Sequence, residues 1–302
     1  MKKVNDISLD KKIKVKELID QFSSSGGFTA KKFSDAAFML KKMEDDKGTV
    51  KFLSFPADII STGTRGPIRD ALKNRLFDVV ITTCGTLDHD IARTFSKYYH
   101  GSFDLDDVEL SKKGIYRLGN VVIPRDNYGK IIEEKMQEFL SGIEIKEWST
   151  NDLIWELGKF IDNENSLLYW AYKNKIPVIV PGITDGAVGS QLWTFWEMNK
   201  NFRLNVFLDE HLLSDIVFTA KKTGALMIGG GISKHHTIWW NQFRGGLDYA
   251  IYITTAVEWD GSLSGARTRE AISWGKIKPR ANHITVEGDA TILLPMLLSY
   301  VL

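Results

Sequence analysis

Cysteine is almost absent from this chain: 302 residues hold one, Cys84. A single thiol excludes an internal disulfide and any metal centre built from several cysteines, and it suits a reducing, cytoplasmic setting. There is no HExxH pair either, so no metal is expected. Neither charge sign prevails. The 39 Lys and Arg face 38 Asp and Glu for a formal net charge of +1, and no global field draws the chain to nucleic acid or to a membrane surface. No run approaches the roughly 18 apolar residues that span a bilayer. The opening MKKVNDISLDKKIKVKEL has no apolar core of signal-peptide length. Repeats, low-complexity tracts and linkers are missing too, which favours one domain over residues 1–302, with residues 1–20 as an extended arm.

What remains is an ordinary soluble composition, 43% hydrophobic and 25% charged, with enough length for a large core. Residues 49–55 (TVKFLSF), closed by Pro56, read as a buried strand, and 78–82 (DVVIT) as a second. Each runs through small residues into a helix: Ser61-Thr62-Gly63-Thr64 before 67–76, and Thr83-Cys84-Gly85-Thr86 before 87–97. Strand, turn and helix, repeated, give βαβ arithmetic. Further strands are expected over 177–181, 224–228, 249–254 and 283–287. Helices are expected over 30–42, 128–140, 151–161, 166–173 and 204–221, with a final one after Ala290. Residues 101–127 read as an excursion of short strands and loops. The class is α/β: a Rossmann-like three-layer fold with a mostly parallel central sheet flanked by helices.

The carboxyl ends of parallel strands share one edge, and ligands bind in the crevice there. At least five strand ends in this chain feed loops of Gly, Ser, Thr, Ala and Asp. Such loops let backbone amides and helix N-termini approach a pyrophosphate, and acids such as Asp185 or Asp289 can hold ribose hydroxyls. Short connecting loops also use Gly and Asp without binding anything. The GxGxxG fingerprint is missing, and Gly229-Gly230-Gly231 has a different spacing. The pattern leaves a nucleotide-sized ligand and plain connections both open.

Residues 258–277, EWDGSLSGARTREAISWGKI, concentrate the chemistry: a loop of small residues, a short helical pattern over 268–273, then Trp274-Gly275-Lys276. Most lysines are solvated surface groups. Lys276 differs in its apolar flanks, Trp274 and Ile277, and in following a ligand-style loop. A lysine attacks a carbonyl or imine only after losing its proton. Of His235 and His236, adjacent at an expected helix start, at most one can face a site; it would be the natural group to move protons off an amine. Glu258, Asp260 and Glu270 put negative charge beside Trp274 and Lys276, as a cationic substrate would require, and a tryptophan face also attracts cations.

At these residues the sequence resembles the deoxyhypusine synthase family, in an archaeal-type form that lacks the eukaryotic N-terminal extension. The matching segments are GGGISKHH (229–236), DGSLSGAR (260–267) and EAISWGK (270–276), with further matches at 60–63, 82–85, 184–186 and 288–290. The resemblance implies an NAD-dependent, cytoplasmic transferase acting on spermidine. In that chemistry spermidine is oxidised, a lysine captures the aminobutyl group as an imine and 1,3-diaminopropane leaves. The group then passes to one lysine of the translation initiation factor 5A precursor, where the new imine is reduced. On this match Lys276 is the nucleophile and His235 the polyamine-contacting acid/base. NAD contacts fall on Asp58, Ser61, Thr83, Cys84, Gly85, Asp185, Gly230, Thr255, Ala256, Asp289 and Ala290. Polyamine contacts fall on Gly261, Ser262, Glu270 and Trp274. The family pattern also implies a homotetramer with sites between paired subunits.

Three departures matter. Where the eukaryotic pattern has an acid after Thr-Asp-Gly-x-x-Gly, this chain has Ser190; where it has Asp-Gly-Ser-Asp, it has Leu263 at the last place; and an asparagine after the histidine pair is Trp239. Two carboxylates that would meet substrate ammonium groups are thus absent. A buried ammonium without a partner costs several kcal/mol, so substitutes are expected, with Asp58 and Asp88 the candidates. The rival readings are homospermidine-synthase-like transfer to a free diamine such as putrescine, and an NAD-binding relative without turnover. Lys276, His235 and Glu270 together weigh against the second.

Overall fold

The computed structural model describes every residue, Met1–Leu302. Eleven strands follow in chain order: β1 (Thr49–Ser54), β2 (Val79–Ile81), β3 (Tyr99–His100), β4 (Ile115–Leu118), β5 (Val121–Pro124), β6 (Glu147–Trp148), β7 (Val178–Ile179), β8 (Arg203–Leu204), β9 (Lys222–Ile228), β10 (Leu247–Thr254) and β11 (Ile277–Glu287). The central sheet has six of them, in the order β11-β10-β9-β1-β2-β7, and its pairing is parallel. This is the α/β class that the βαβ arithmetic implied. The chain packs as two compact units, residues 1–55, 74–81 and 212–302 in the first and residues 56–73 and 82–211 in the second.

In the first unit the strands are near-continuous apolar runs because both faces are covered. Phe52, Leu53, Leu226, Met227, Ile251, Tyr252 and Ile253 are all buried, each worth about 1.5–3 kcal/mol of burial. Helices Phe28–Asp45, Gly231–Gln242 and Ala290–Val301 pack on these strands. Gly224 of β9 permits the first of these contacts, since a Cβ there would sit 2.3 Å from the Met43 sulfur. The edge strand β11 begins at Ile277, not at His283 as the apolar pattern suggested. Its first half, IKPRAN, is polar and contains Pro279, which only an edge strand tolerates. Residues 1–12 are exposed, but a helix, Val15–Phe22, starts inside the expected arm and buries Ile19.

The second unit holds the excursion at residues 101–127, which joins the preceding β3 in a three-stranded antiparallel sheet, β3-β5-β4, and carries the helix Asp107–Lys112, capped by the Asp106 carboxylate. A short parallel pair, β6 with β8, lies in the same unit. The helix expected over 204–221 begins only at Phe207, whose N–H is accepted by the Asn205 side chain at 3.1 Å. After β7 and the turns at 181–186 comes a helix, Ala187–Met198. Its first N–H groups are satisfied by a carboxylate 99 residues earlier in the chain, which no local pattern reveals.

Candidate active site

In the first unit β9, β10 and β11 are parallel neighbours, so the turns that follow them lie along one edge. The Gly229 N–H donates to the Ile253 carbonyl at 2.8 Å, and the Gly288 N–H to that of Thr254 at 2.9 Å. After β9 the backbone turns through Gly229 and Gly231, both at φ 66°, into the helix Gly231–Gln242. Gly230 between them meets the loop after β10: a Cβ there would lie 2.2 Å from the Ser264 Oγ and 2.5 Å from its Cα. The helix carries Lys234, His235, Ile238 and Trp239 to a cavity of about 320 Å³.

Lys276 reaches that cavity from another direction. The helix Glu270–Ser273 ends in a turn at Gly275 (φ 68°). The Lys276 N–H then donates to the Ala271 carbonyl at 2.9 Å, and its carbonyl accepts from the Leu247 N–H at 3.1 Å. With both backbone groups tied and 9% of its surface exposed, Lys276 projects from a fixed base. Its Nζ lies 5.1 Å from the centre of the Trp274 ring. Glu270 supplies a carboxylate in the wall, with Tyr252, Leu263, Ala266, Arg267 and Ala271 around it. Burial, and then the positive charge of Lys276, hold His235 below the usual histidine range. The ring is therefore neutral at pH 7, the form that accepts a proton. Trp239, one turn along, stacks on it at 5.7 Å and 24°.

The other expected contacts of this unit sit on the same edge or in the loop beside it. Thr255 is exposed and Ala256 half-buried, its N–H donating to the Thr254 hydroxyl at 3.1 Å. Asp289 caps the helix that begins at Ala290, accepting from the Thr291 N–H at 2.7 Å. Gly261 (φ 70°) and Ser262 are exposed. Together with Gly230, these turns form a glycine-lined backbone edge that fits the phosphates and ribose of a dinucleotide.

The remaining expected contacts belong to the second unit. Asp58 is exposed and accepts, through its carbonyl, the hydroxyl of the buried Ser61 at 2.6 Å. Thr83, Cys84 and Gly85 open the helix Cys84–Phe95, with a would-be Gly85 Cβ 2.9 Å from Ala57. The Cys84 thiol is buried, and burial, reinforced by the charge of Asp88, pushes it up to about 12. Asp185 is exposed. Asp88, a candidate partner for a substrate ammonium, already has partners within the chain. It is 1% exposed, and its carboxylate accepts from the Val188 N–H at 2.8 Å, the Ala187 N–H at 2.9 Å and the Tyr128 hydroxyl at 2.9 Å. A carboxylate so engaged caps the helix Ala187–Met198. A second cavity, of about 280 Å³ between Leu192, Trp193, Trp196 and Phe202, has no titratable group in its wall. No cluster of His, Cys, Asp and Glu is arranged to hold a metal ion, and no helix is long and apolar enough to cross a membrane.

Three polar residues of the Lys276 cavity are not among the contacts that the resemblance implies: Lys234, Tyr252 and Arg267. Lys234 alone carried a local signal, since a lysine in the first turns of a helix opposes the helix dipole and needs compensation.

The deoxyhypusine synthase profile matches residues 17–301. The chain belongs to the deoxyhypusine synthase family. It is 60% identical over 298 residues to a probable deoxyhypusine synthase of Picrophilus torridus, a match covering 98% of this chain and 96% of that one. It is 59% identical, over the same length and shares, to the one from Thermoplasma acidophilum. A crystal structure of a putative deoxyhypusine synthase from Entamoeba histolytica superposes with a TM-score of 0.65, covering 98% of this chain and 96% of that one at 18% identity, a likeness of fold. Within this chain the three departures from the eukaryotic pattern are now placed. Leu263 and Trp239 wall the Lys276 cavity, and Ser190 is exposed on the helix Ala187–Met198, its hydroxyl donating to the Gly186 carbonyl at 3.1 Å.

Proposed function

We propose that this chain transfers the aminobutyl group of spermidine to a lysine of the translation initiation factor 5A precursor, the reaction for which its family is named, with NAD as cofactor. The observation that carries the reading is the buried Lys276 sharing one cavity with a neutral His235 and the carboxylate of Glu270. NAD, when bound, supplies an acceptor for the hydride removed from the amine carbon and returns it at the end. Gly230, Thr255, Ala256, Asp289 and Ala290 would hold it along the turns of the first unit, and Asp58, Ser61, Thr83, Cys84, Gly85 and Asp185 are its proposed contacts in the second.

The protein's own share is covalent and acid–base chemistry. His235 takes a proton from the amine. The Lys276 Nζ, freed of its proton, adds to the carbon of the oxidised donor; the bond from that carbon to the departing nitrogen breaks, and 1,3-diaminopropane leaves with a proton. The aminobutyl group is then an imine on Lys276. The acceptor lysine displaces Nζ by the same addition and elimination. Glu270 pairs with an ammonium of the donor, Trp274 offers a ring face to the cation, and Gly261 and Ser262 form the loop beside it. Leu263 and Trp239 make the wall apolar where eukaryotic members have a carboxylate and an amide. One carboxylate, Glu270, therefore serves the ammonium at this cavity. By the same resemblance the assembly is a homotetramer, for which exposed side chains such as Trp193, Trp196 and Phe207 offer surface to cover; a native mass of one chain would exclude it.

Incubation with NAD and radiolabelled spermidine, with the factor precursor or with putrescine, tests the reading. Label on the precursor supports it. Label appearing only in homospermidine means that the acceptor is a free diamine, and no label in either product overturns the transferase assignment.

A further inference from the structure

Lys234 is buried, cationic and unused by the chemistry above. It is 1% exposed, so no substrate carbon reaches its Nζ. Its three N–H groups have three destinations: the Leu263 carbonyl at 2.7 Å, the Ala266 carbonyl at 3.0 Å and the face of Tyr252, whose ring centre lies 3.9 Å away. A cation that is fully partnered in this way offsets the cost of its burial.

The two carbonyls bracket Ser264 and Gly265, and this segment is under close constraint on both sides. Ser264 crosses Gly230 at a distance that leaves no room for a Cβ, and a Cβ on Gly265 would lie 2.0 Å from the Val257 carbonyl oxygen. Within the loop, the Gly265 and Ala266 N–H groups both donate to the Ser262 carbonyl at 3.1 Å. These bonds shape the loop locally, whereas Lys234 ties it to the helix Gly231–Gln242. The side chains of Leu263 and Ala266 form one wall of the cavity that Lys276 enters.

We propose that Lys234 is a positioning residue: its ammonium pins residues 263–266 by their carbonyls and so shapes the wall that the donor amine meets beside Lys276. Burial, opposed by the charge of Glu270 and aided by that of Arg267, lowers Lys234 to about 8, which leaves the ammonium in place at neutral pH.

Hydrogen exchange of residues 258–269, read by mass spectrometry on the full chain, tests the tie itself. Lys234→Met keeps the length and removes the donors. Its expected effect is at least about tenfold faster exchange at Gly265 and Ala266, because charge-assisted bonds to both flanking carbonyls are lost. Lys234→Arg should restore part of the protection. Where the proposed transfer is also measured, KM for the amine rises about tenfold while kcat changes less. Unchanged exchange in Lys234→Met overturns the proposal, and a raised KM with unchanged exchange does so too, since Lys234 would then act on the substrate directly. If Lys234→Met does not fold, Lys234→Gln, which keeps one amide donor, carries the comparison. The kinetic arm rests on the function proposed above and the exchange arm does not, so absence of transfer in the wild type would sink that function and leave the tie decided.

Discussion

Replacing Gly230 by alanine tests the geometry of the site at its tightest point. The added Cβ would lie 2.2 Å from the Ser264 Oγ, 2.5 Å from its Cα and 2.6 Å from its N. The hydroxyl can rotate away, but the two backbone atoms cannot. Ordinary contact begins at about 3.4 Å, so the loop must retreat by roughly 1 Å; forcing extra atoms into packed structure typically costs about 1–3 kcal/mol. Because residues 263–266 wall the Lys276 cavity, the retreat should also cost activity, on the order of 100-fold for a 1 Å misplacement. Thermal melting and aminobutyl transfer, run side by side on the variant and the wild type, read the two effects. Gly129→Ala serves as the control, since nothing lies within 4 Å of a Cβ there and its φ is not positive. A Gly230→Ala protein with wild-type melting and wild-type activity would refute the packing argument.

Other perturbations reach separate parts of the account. His89, against Tyr98 at 2.9 Å, is pushed down from 6.5 to about 4 by burial and then by the charge of Arg93. The unfolded chain thus takes up this proton first as pH falls; stability should decline between about pH 6.5 and 4, by roughly 3 kcal/mol, and the decline should flatten in His89→Phe. Urea titrations across that range check the sign. Asp90 is fully buried, with Arg65 Nε at 2.7 Å and the N–H groups of Leu167 and Leu168 at 3.2 and 3.1 Å. Asp90→Ala should cost about 3–5 kcal/mol because it strands the guanidinium, and a loss below 1 kcal/mol by urea titration would contradict this. The Cys84 thiol, held up at about 12, should resist a thiol reagent in the native protein at pH 8 and react once in denaturant.

The sheet was legible because its buried strands are short apolar runs ending at glycine and small polar residues. Their order was not, since β9, distant in sequence, lies between β1 and β10, a choice made by packing. The helix Ala187–Met198 was missed because its cap, Asp88, comes from far away in the chain. Asp88, named as a candidate to replace a missing carboxylate, accepts from backbone N–H groups of that helix, a contact that the sequence does not reveal. Lys276 and His235 stood out through the family motif, and the structure puts both in one cavity. Lys234 stood next to His235 in the same motif, yet its role depends on two carbonyls roughly 30 residues on. Only the fold brings those to it.

The central claim is that Lys276 becomes covalently attached to the aminobutyl group. Borohydride reduction of the protein incubated with NAD and labelled spermidine, followed by peptide mapping, tests it most directly. The account predicts label on the peptide containing Lys276 and none in Lys276→Arg, with Lys234→Arg still labelled at Lys276. Label that persists in Lys276→Arg, or that maps to any other lysine in the wild type, would contradict it.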